Sequence, residues 1–152
     1  MKIGLAADHA GFELKNLVKA FLGEHQWDVE DYGAFEYDAD DDYPDCIAPL
    51  AVAVSEGKVD RGIAVCGSGV GASIVINKVP GVRGALITDV YSAHQGVEHD
   101  DMNVICIGSR VTGVALALDL IEAFLKASFT SEERHVRRLN KLIQLEKTYT
   151  QR

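Results

Sequence analysis

Short runs of β-branched and apolar residues alternate along the chain with longer stretches whose apolar positions recur at helical spacing. The runs predict strands at Lys2 to Ala6, Trp27 to Asp31, Arg61 to Val65, Val82 to Ile87 and Val104 to Ile107. After the first strand, Phe12, Leu14, Leu17, Val18 and Phe21 form one apolar stripe; Ile47, Leu50, Ala51 and Val54 form another before the third strand. Further helices are expected to begin near Gly69, Tyr91 and Gly113. A last helix is predicted from Ser131 to about Lys147, opened by Ser131-Glu132-Glu133 and carrying Val136, Leu139, Leu142 and Ile143 on one face. Strands that alternate with helices in this way predict an α/β fold with a five-stranded, mostly parallel sheet. No internal repeat and no shift in composition interrupts the pattern, so one layered domain over residues 1–152 is expected.

Composition narrows the possibilities. A chain of 152 residues, 47% apolar and 25% charged, is long enough to bury a sizeable core. Fifteen Lys and Arg against 23 Asp and Glu give a formal charge of −8, which argues against a nucleic-acid partner. The N-terminus reaches Asp8 too early to hold a signal-peptide core, and the apolar run from Ile47 to Val54 is too short to span a bilayer. A cytoplasmic protein with no membrane partner is expected. Cys46, Cys66 and Cys106 are odd in number and lack C-x-x-C spacing, so neither a disulfide framework nor a structural metal site is indicated. The run Asp38-Ala39-Asp40-Asp41-Asp42 lacks the Gly and distal Glu of a calcium loop and reads as a solvated acidic loop.

Ligands of open parallel sheets bind beyond the carboxyl ends of the strands, so the residues just after each strand are the candidates. They are Asp8-His9-Ala10-Gly11, Cys66-Gly67-Ser68-Gly69-Val70-Gly71, Asp89, and Gly108-Ser109-Arg110. The segment from Cys66 to Gly71 is the most specific, because glycines at alternate positions before a helix let backbone N–H groups converge on an anion. A cysteine at such a position is favoured as the thiolate, the form needed in a base or nucleophile. Other readings of the loop compete. Gly67-x-Gly69-x-x-Ala72, with Asp89 about 20 residues on, fits the dinucleotide fingerprint formally, although it follows the third strand rather than the first. A tight turn with an inert thiol is the plain structural reading. No Gly-Lys-Ser/Thr follows to make a P-loop, and Ala72 stands where a cysteine phosphatase needs Arg.

His94, Glu98 and His99 fall close together on a predicted helix, but their spacing matches no zinc-protease motif, so no metal is expected. The carboxylates of Asp100 and Asp101 suit His99 to proton donation, with a surface histidine as the other reading. In the last helix Arg134 and Arg138 are four apart and share a face, which suits an anion or a solvated helix that offsets the acidic remainder.

Asp8-His9-Ala10-Gly11, Tyr43-Pro44-Asp45, Cys66 to Gly71, Asn77-Lys78, Gly81-Val82-Arg83, Tyr91-Ser92-Ala93, His99 with Asn103, Gly108-Ser109-Arg110 and Arg134-His135, in this order, resemble the ribose-5-phosphate isomerase B and galactose-6-phosphate isomerase family. The resemblance runs from residue 1 to about 140. It implies a Rossmann-like three-layer domain with a C-terminal helix, a homodimer or homotetramer, and interconversion of an aldose phosphate with its ketose phosphate without metal or other cofactor. It also implies roles. Cys66 would move a proton between C1 and C2 through an enediolate stabilised by Ser68 and the backbone of Gly67, Gly69 and Gly71. His99 would assist opening of the sugar ring, Asp8 and Tyr43 would contact sugar hydroxyls, and His9, Arg110, Arg134 and Arg138 would hold the phosphate. One position departs from the family, which usually has Asn where this chain has Asp100. An amide can donate to a sugar oxygen and a carboxylate can only accept, so the change bears on substrate choice.

Overall fold

The structure is a computed structural model that describes residues 1–150. Five strands, β1 (Lys2–Ala7), β2 (Asp28–Asp31), β3 (Arg61–Cys66), β4 (Gly84–Leu86) and β5 (Val104–Gly108), form one parallel sheet in the order β2-β1-β3-β5-β4. The helices are α1 (Phe12–Glu24), α2 (Tyr43–Ser55), α3 (Val70–Ile76), α4 (Val90–Asp100), α5 (Val114–Lys126) and α6 (Glu133–Thr150). Among the described residues no helix is long and apolar enough to cross a membrane. Every predicted strand is present, and the fold is α/β as its alternation of elements requires. The fourth strand shrinks from the predicted Val82–Ile87 to three residues; at its start the amides of Val82 and Arg83 bond Val79 O and Asn103 Oδ1, at 3.2 and 2.7 Å, instead of a neighbouring strand.

The two faces of the sheet differ because alternate strand residues differ in size. Ile3, Leu5, Ile63, Val65, Ile105 and Ile107 point to one face and pack against α1, α4 and α5. The opposite face is built of small residues, Ala6, Ala64, Cys66 and Cys106, and lies under α2 and α3. Gly4 and Gly62 leave room for Leu50 of α2 to sit against the strands. Cys66 therefore belongs to the small face, at the carboxyl edge of the central strand. The α2 stripe is buried as the spacing predicts, and Cys106 is fully buried.

The α1 stripe is rotated from its predicted face. Leu17 is half exposed, and the inward positions are Leu14, Lys15, Val18 and Leu22. Lys15 is only 1% exposed, yet its ammonium bonds both carboxylate oxygens of Asp31, at 2.9 and 3.1 Å, and the carbonyl of Ala34 at 2.5 Å. A buried charge is tolerable only with such partners. This clamp ties α1 to the end of β2 and fixes the start of the loop that leads to α2.

Candidate active site

The chain reverses direction across the sheet between β1 and β3, which opens a crevice at their carboxyl ends. A cleft of about 410 Å³ lies there, lined by Asp8, His9, Ala10, Tyr43, Cys66, Gly67, Ser68, Gly71, Arg110 and Val111. Each wall has a local cause. Asp8 caps the short 3-10 turn at His9–Gly11, accepting from Gly11 N at 2.9 Å, and is itself buried. Tyr43 opens α2, with Pro44 in the first turn where no intrahelical donor is needed, and its ring lies over Gly71.

The loop after β3 is held by its neighbour after β5. Ser109 N donates to Cys66 O at 2.9 Å, Arg110 N donates to Gly67 O at 3.0 Å, and Ser109 Oγ donates to Ala10 O at 2.6 Å. A Cβ on Gly108 would lie 2.5 Å from the backbone of Ser68, so this approach requires glycine. Gly69 sits at φ +80 and caps α3. In that conformation its N–H donates to Sγ of Cys66 at 3.1 Å. Ser68 Oγ accepts from Val70 N at 3.3 Å. Cys66 is 5% exposed and lines the cleft floor.

The other two thiols are different. Burial and the nearby carboxylate of Asp41 push the Cys46 thiol up to about 12. Burial pushes Cys106 upward as well.

Within the acidic loop only Asp41 is drawn out of solvent. Its side chain is 11% exposed; Oδ1 accepts from His9 Nδ1 at 2.6 Å, and Oδ2 accepts from Cys46 Sγ at 3.4 Å. The solvated reading of the run therefore holds for Asp38, Asp40 and Asp42, and is corrected for Asp41. Asp8, His9 and Asp41 are also the group, among the described residues, whose donor atoms lie within 4.8 Å of one another as metal ligands do. All three are already engaged, His9 with Asp41 and Asp8 with the Gly11 amide.

His99, Asp100, Arg134 and Arg138 lie elsewhere. Helix α4 starts beyond the carboxyl end of β4 and runs back to Asp101 and Asn103 before β5 begins, so His99 and Asp100 sit at the amino edge of the sheet. Cys66 pairs with Gly108 at the other edge. The strand between those edges spans roughly 13 Å. Thr130 N donates to Glu98 O at 3.0 Å, which fixes the start of α6, with Arg134 and Arg138 on it, beside the end of α4.

There the ring of His99 stacks on that of His135, centroids 4.1 Å apart. The Gln95 amide donates to His99 Nδ1 at 2.8 Å. Asp101 does not face the ring as the sequence suggests; its carboxylate pairs with Arg83 at 2.6 Å. His135 is buried and bonded through Nδ1 to Thr130 Oγ1 at 2.7 Å, and burial together with His99 and Arg134 pushes it down from its ordinary value. Asp100 lines a second cleft of about 470 Å³ between β4, α4 and α6, with Arg83, Gln95, Met102, Leu142 and Glu146.

Asp89, the acid expected in a dinucleotide site, caps α4 instead, accepting from Ser92 N and Oγ, both at 2.8 Å. Sequence reasoning gave no site role to Asp41, Lys15, Gln95 or His135. A lysine between Leu14 and Val18 on an inward stripe was a signal for the second of these; three adjacent aspartates carried none for the first.

A family model described as Ribose/Galactose Isomerase matches residues 3–142. The chain is 43% identical over 150 residues to ribose-5-phosphate isomerase B of Mycolicibacterium paratuberculosis, an overlap of 98% of this chain and 94% of that protein. The solved structure of ribose-5-phosphate isomerase B from Clostridium thermocellum is similar at a TM-score of 0.94 and 44% identity, covering 98% of this chain and 99% of that one. That of the Mycoplasma genitalium protein, with bound ribulose-5-phosphate, is similar at 0.91 and 39% identity, covering 96% of each.

Proposed function

The chain belongs to the Ribose/Galactose Isomerase family, and from that premise we propose that it interconverts ribose 5-phosphate and ribulose 5-phosphate through an enediolate, without a metal. The observation that carries this reading is the placing of Cys66 on the floor of the cleft, against the Gly69 amide and among Asp8, Tyr43 and Arg110. The thiolate of Cys66 takes the proton from C2 of the open-chain aldose and the resulting thiol returns it to C1, while the O2 proton passes to O1. Charge builds on the enediolate oxygens at the floor of the cleft, where preorganised donors from Ser68, Gly67, Gly69 and Gly71 stabilise it. Asp8 and Tyr43 hold sugar hydroxyls. His9 and Arg110 bind the phosphate, whose binding energy then orients the reacting carbons.

His99 opens the furanose ring by giving a proton to the ring oxygen. It lies too far from Cys66 to do so within one chain, and so do Arg134 and Arg138 if they hold the same phosphate. Their placement supports a site shared between two copies, in which each cleft takes His99, Asp100 and the α6 arginines from its partner. The chain is thus read as one cytoplasmic isomerase domain that works as a homodimer, or as a pair of such dimers.

The test is an isomerase assay over four-, five- and six-carbon aldose phosphates, with NAD titrated in parallel. Turnover of ribose 5-phosphate with no binding of NAD supports the reading. Binding of NAD alone would replace it with the nucleotide-binding alternative, against which the capping role of Asp89 already stands.

A further inference from the structure

His9 is held by two neighbours at the lip of the cleft. Asp41 takes its Nδ1 at 2.6 Å, the ring of Tyr37 stands edge-on to it at a centroid distance of 6.5 Å, and Tyr37 in turn meets Phe12 of α1 at 6.2 Å. The loop that carries Asp41 is itself secured. It starts at the Lys15 clamp on Asp31 and Ala34, and folds back where Asp41 N donates to Asp38 O at 3.2 Å and Asp40 N donates to Asp38 Oδ1 at 3.0 Å. A part-buried carboxylate on one imidazole nitrogen fixes the tautomer and the plane of the ring, and leaves the other nitrogen to work.

We propose that Asp41 is a positioning residue for the phosphate end of the site: its carboxylate accepts from Nδ1–H of His9 and fixes the ring so that the imidazolium form turns Nε2–H to the phosphate of the sugar. The inference rests on the reading of His9 as a phosphate ligand. The groups that face His9 are Asp41 from the loop before α2, Asp8 from the end of β1 and Arg110 from the loop after β5. The hydrogen bond to Asp41 raises His9 above its ordinary value, partial burial opposes it, the charges of Asp41 and Asp8 add to it, and Arg110 subtracts. A raised histidine is cationic below its shifted value and loses its charge as pH climbs through it, so the pair extends anion binding toward higher pH.

The experiment measures inhibition by inorganic phosphate and KM for ribose 5-phosphate from about pH 6 to about pH 9, for wild type, Asp41→Asn, His9→Ala and the double variant. Asp41→Asn is expected to weaken phosphate binding ~10-fold just below the pH at which wild-type binding falls off, to move that pH downward, and to leave kcat within about twofold. In the His9→Ala background the same substitution should have no further effect, which a merely structural role for Asp41 would not produce.

An unmoved pH profile in Asp41→Asn, with weakened phosphate binding in His9→Ala, overturns the proposal and leaves the reading of His9 intact. Phosphate binding in His9→Ala as tight as in wild type overturns that reading and the proposal with it. Should Asp41→Asn not fold, the ring 15N shifts of His9 in wild type decide: a proton retained on Nδ1 across the titration supports the anchor, and a neutral form protonated only on Nε2 overturns it.

Discussion

The amide of Gly69 donates to the sulfur of Cys66 at 3.1 Å, so the thiol at the end of the central strand is held by the first turn of the loop that follows it. This bond depends on the left-handed backbone of Gly69, at φ +80, and on the absence of a side chain there. A Cβ would strike Leu86 and lie 3.0 Å from Gly108 N and 3.1 Å from Ile107 C. Two neighbouring loops thus fix the sulfur and the cluster of amides in one arrangement.

Gly69→Ala should therefore damage the site more than the fold. The strained backbone and the contact with β5 are expected to cost ~1 to 3 kcal/mol, read as a lowered urea midpoint. Loss of turnover should exceed about 100-fold, since an oxyanion-type donor is displaced as well. Activity within a few-fold of wild type would show that the loop geometry is not used in the reaction.

The three cysteines should separate by reactivity. Cys46 is the most accessible of them, yet burial and Asp41 hold its thiol up at about 12, and burial keeps the Cys106 thiol protonated. Brief treatment with iodoacetamide at neutral pH is expected to modify Cys66 first, with loss of activity, and ribose 5-phosphate should protect it. Peptide mapping that found the first adduct on Cys46 would contradict this.

A shared site predicts complementation. Cys66→Ala and His99→Ala should each be inactive alone. When the two are unfolded together and refolded, random pairing gives mixed dimers with one complete site, and activity should return to about a quarter of wild type. Mixed dimers that form but stay inactive would place both residues in the same chain's site, and a His99→Ala protein active on its own would remove His99 from it.

The Lys15 clamp should show in the pH dependence of stability. Burial pushes the Asp31 carboxyl up, but bonds from Lys19, the Gly33 amide and Lys15 outweigh it, so the group sits below its ordinary 3.8. A depressed carboxyl stabilises the fold above its unfolded value, and that stability is lost as pH falls through the folded one. Lys15→Met should lower stability by ~3 kcal/mol at neutral pH, with the difference from wild type shrinking below about pH 4. A difference independent of pH would assign the effect to packing alone.

Much of this was legible in the sequence where one physical signal dominates. Alternation of strands and helices gave the sheet, and the glycines around Cys66 marked the cleft, because both are local patterns. The face of α1 was misread because Lys15 is inward only by virtue of Asp31 and the Ala34 carbonyl, which are distant in sequence. Asp41 could not be told from Asp40 and Asp42, since only the fold brings His9 to one of the three. The gap between Cys66 and His99 was invisible for the same reason: it follows from the direction in which α4 runs back along the sheet.

The central claim is that Cys66 moves the proton, and the most direct measurement is the rate of ribulose 5-phosphate formation from ribose 5-phosphate by Cys66→Ala, with sugar-phosphate affinity determined on the same preparation. The account predicts a loss of turnover of several orders of magnitude, on the order of 10³-fold or more, with affinity kept within about tenfold. Turnover near the wild-type rate in a folded, substrate-binding Cys66→Ala protein would contradict it.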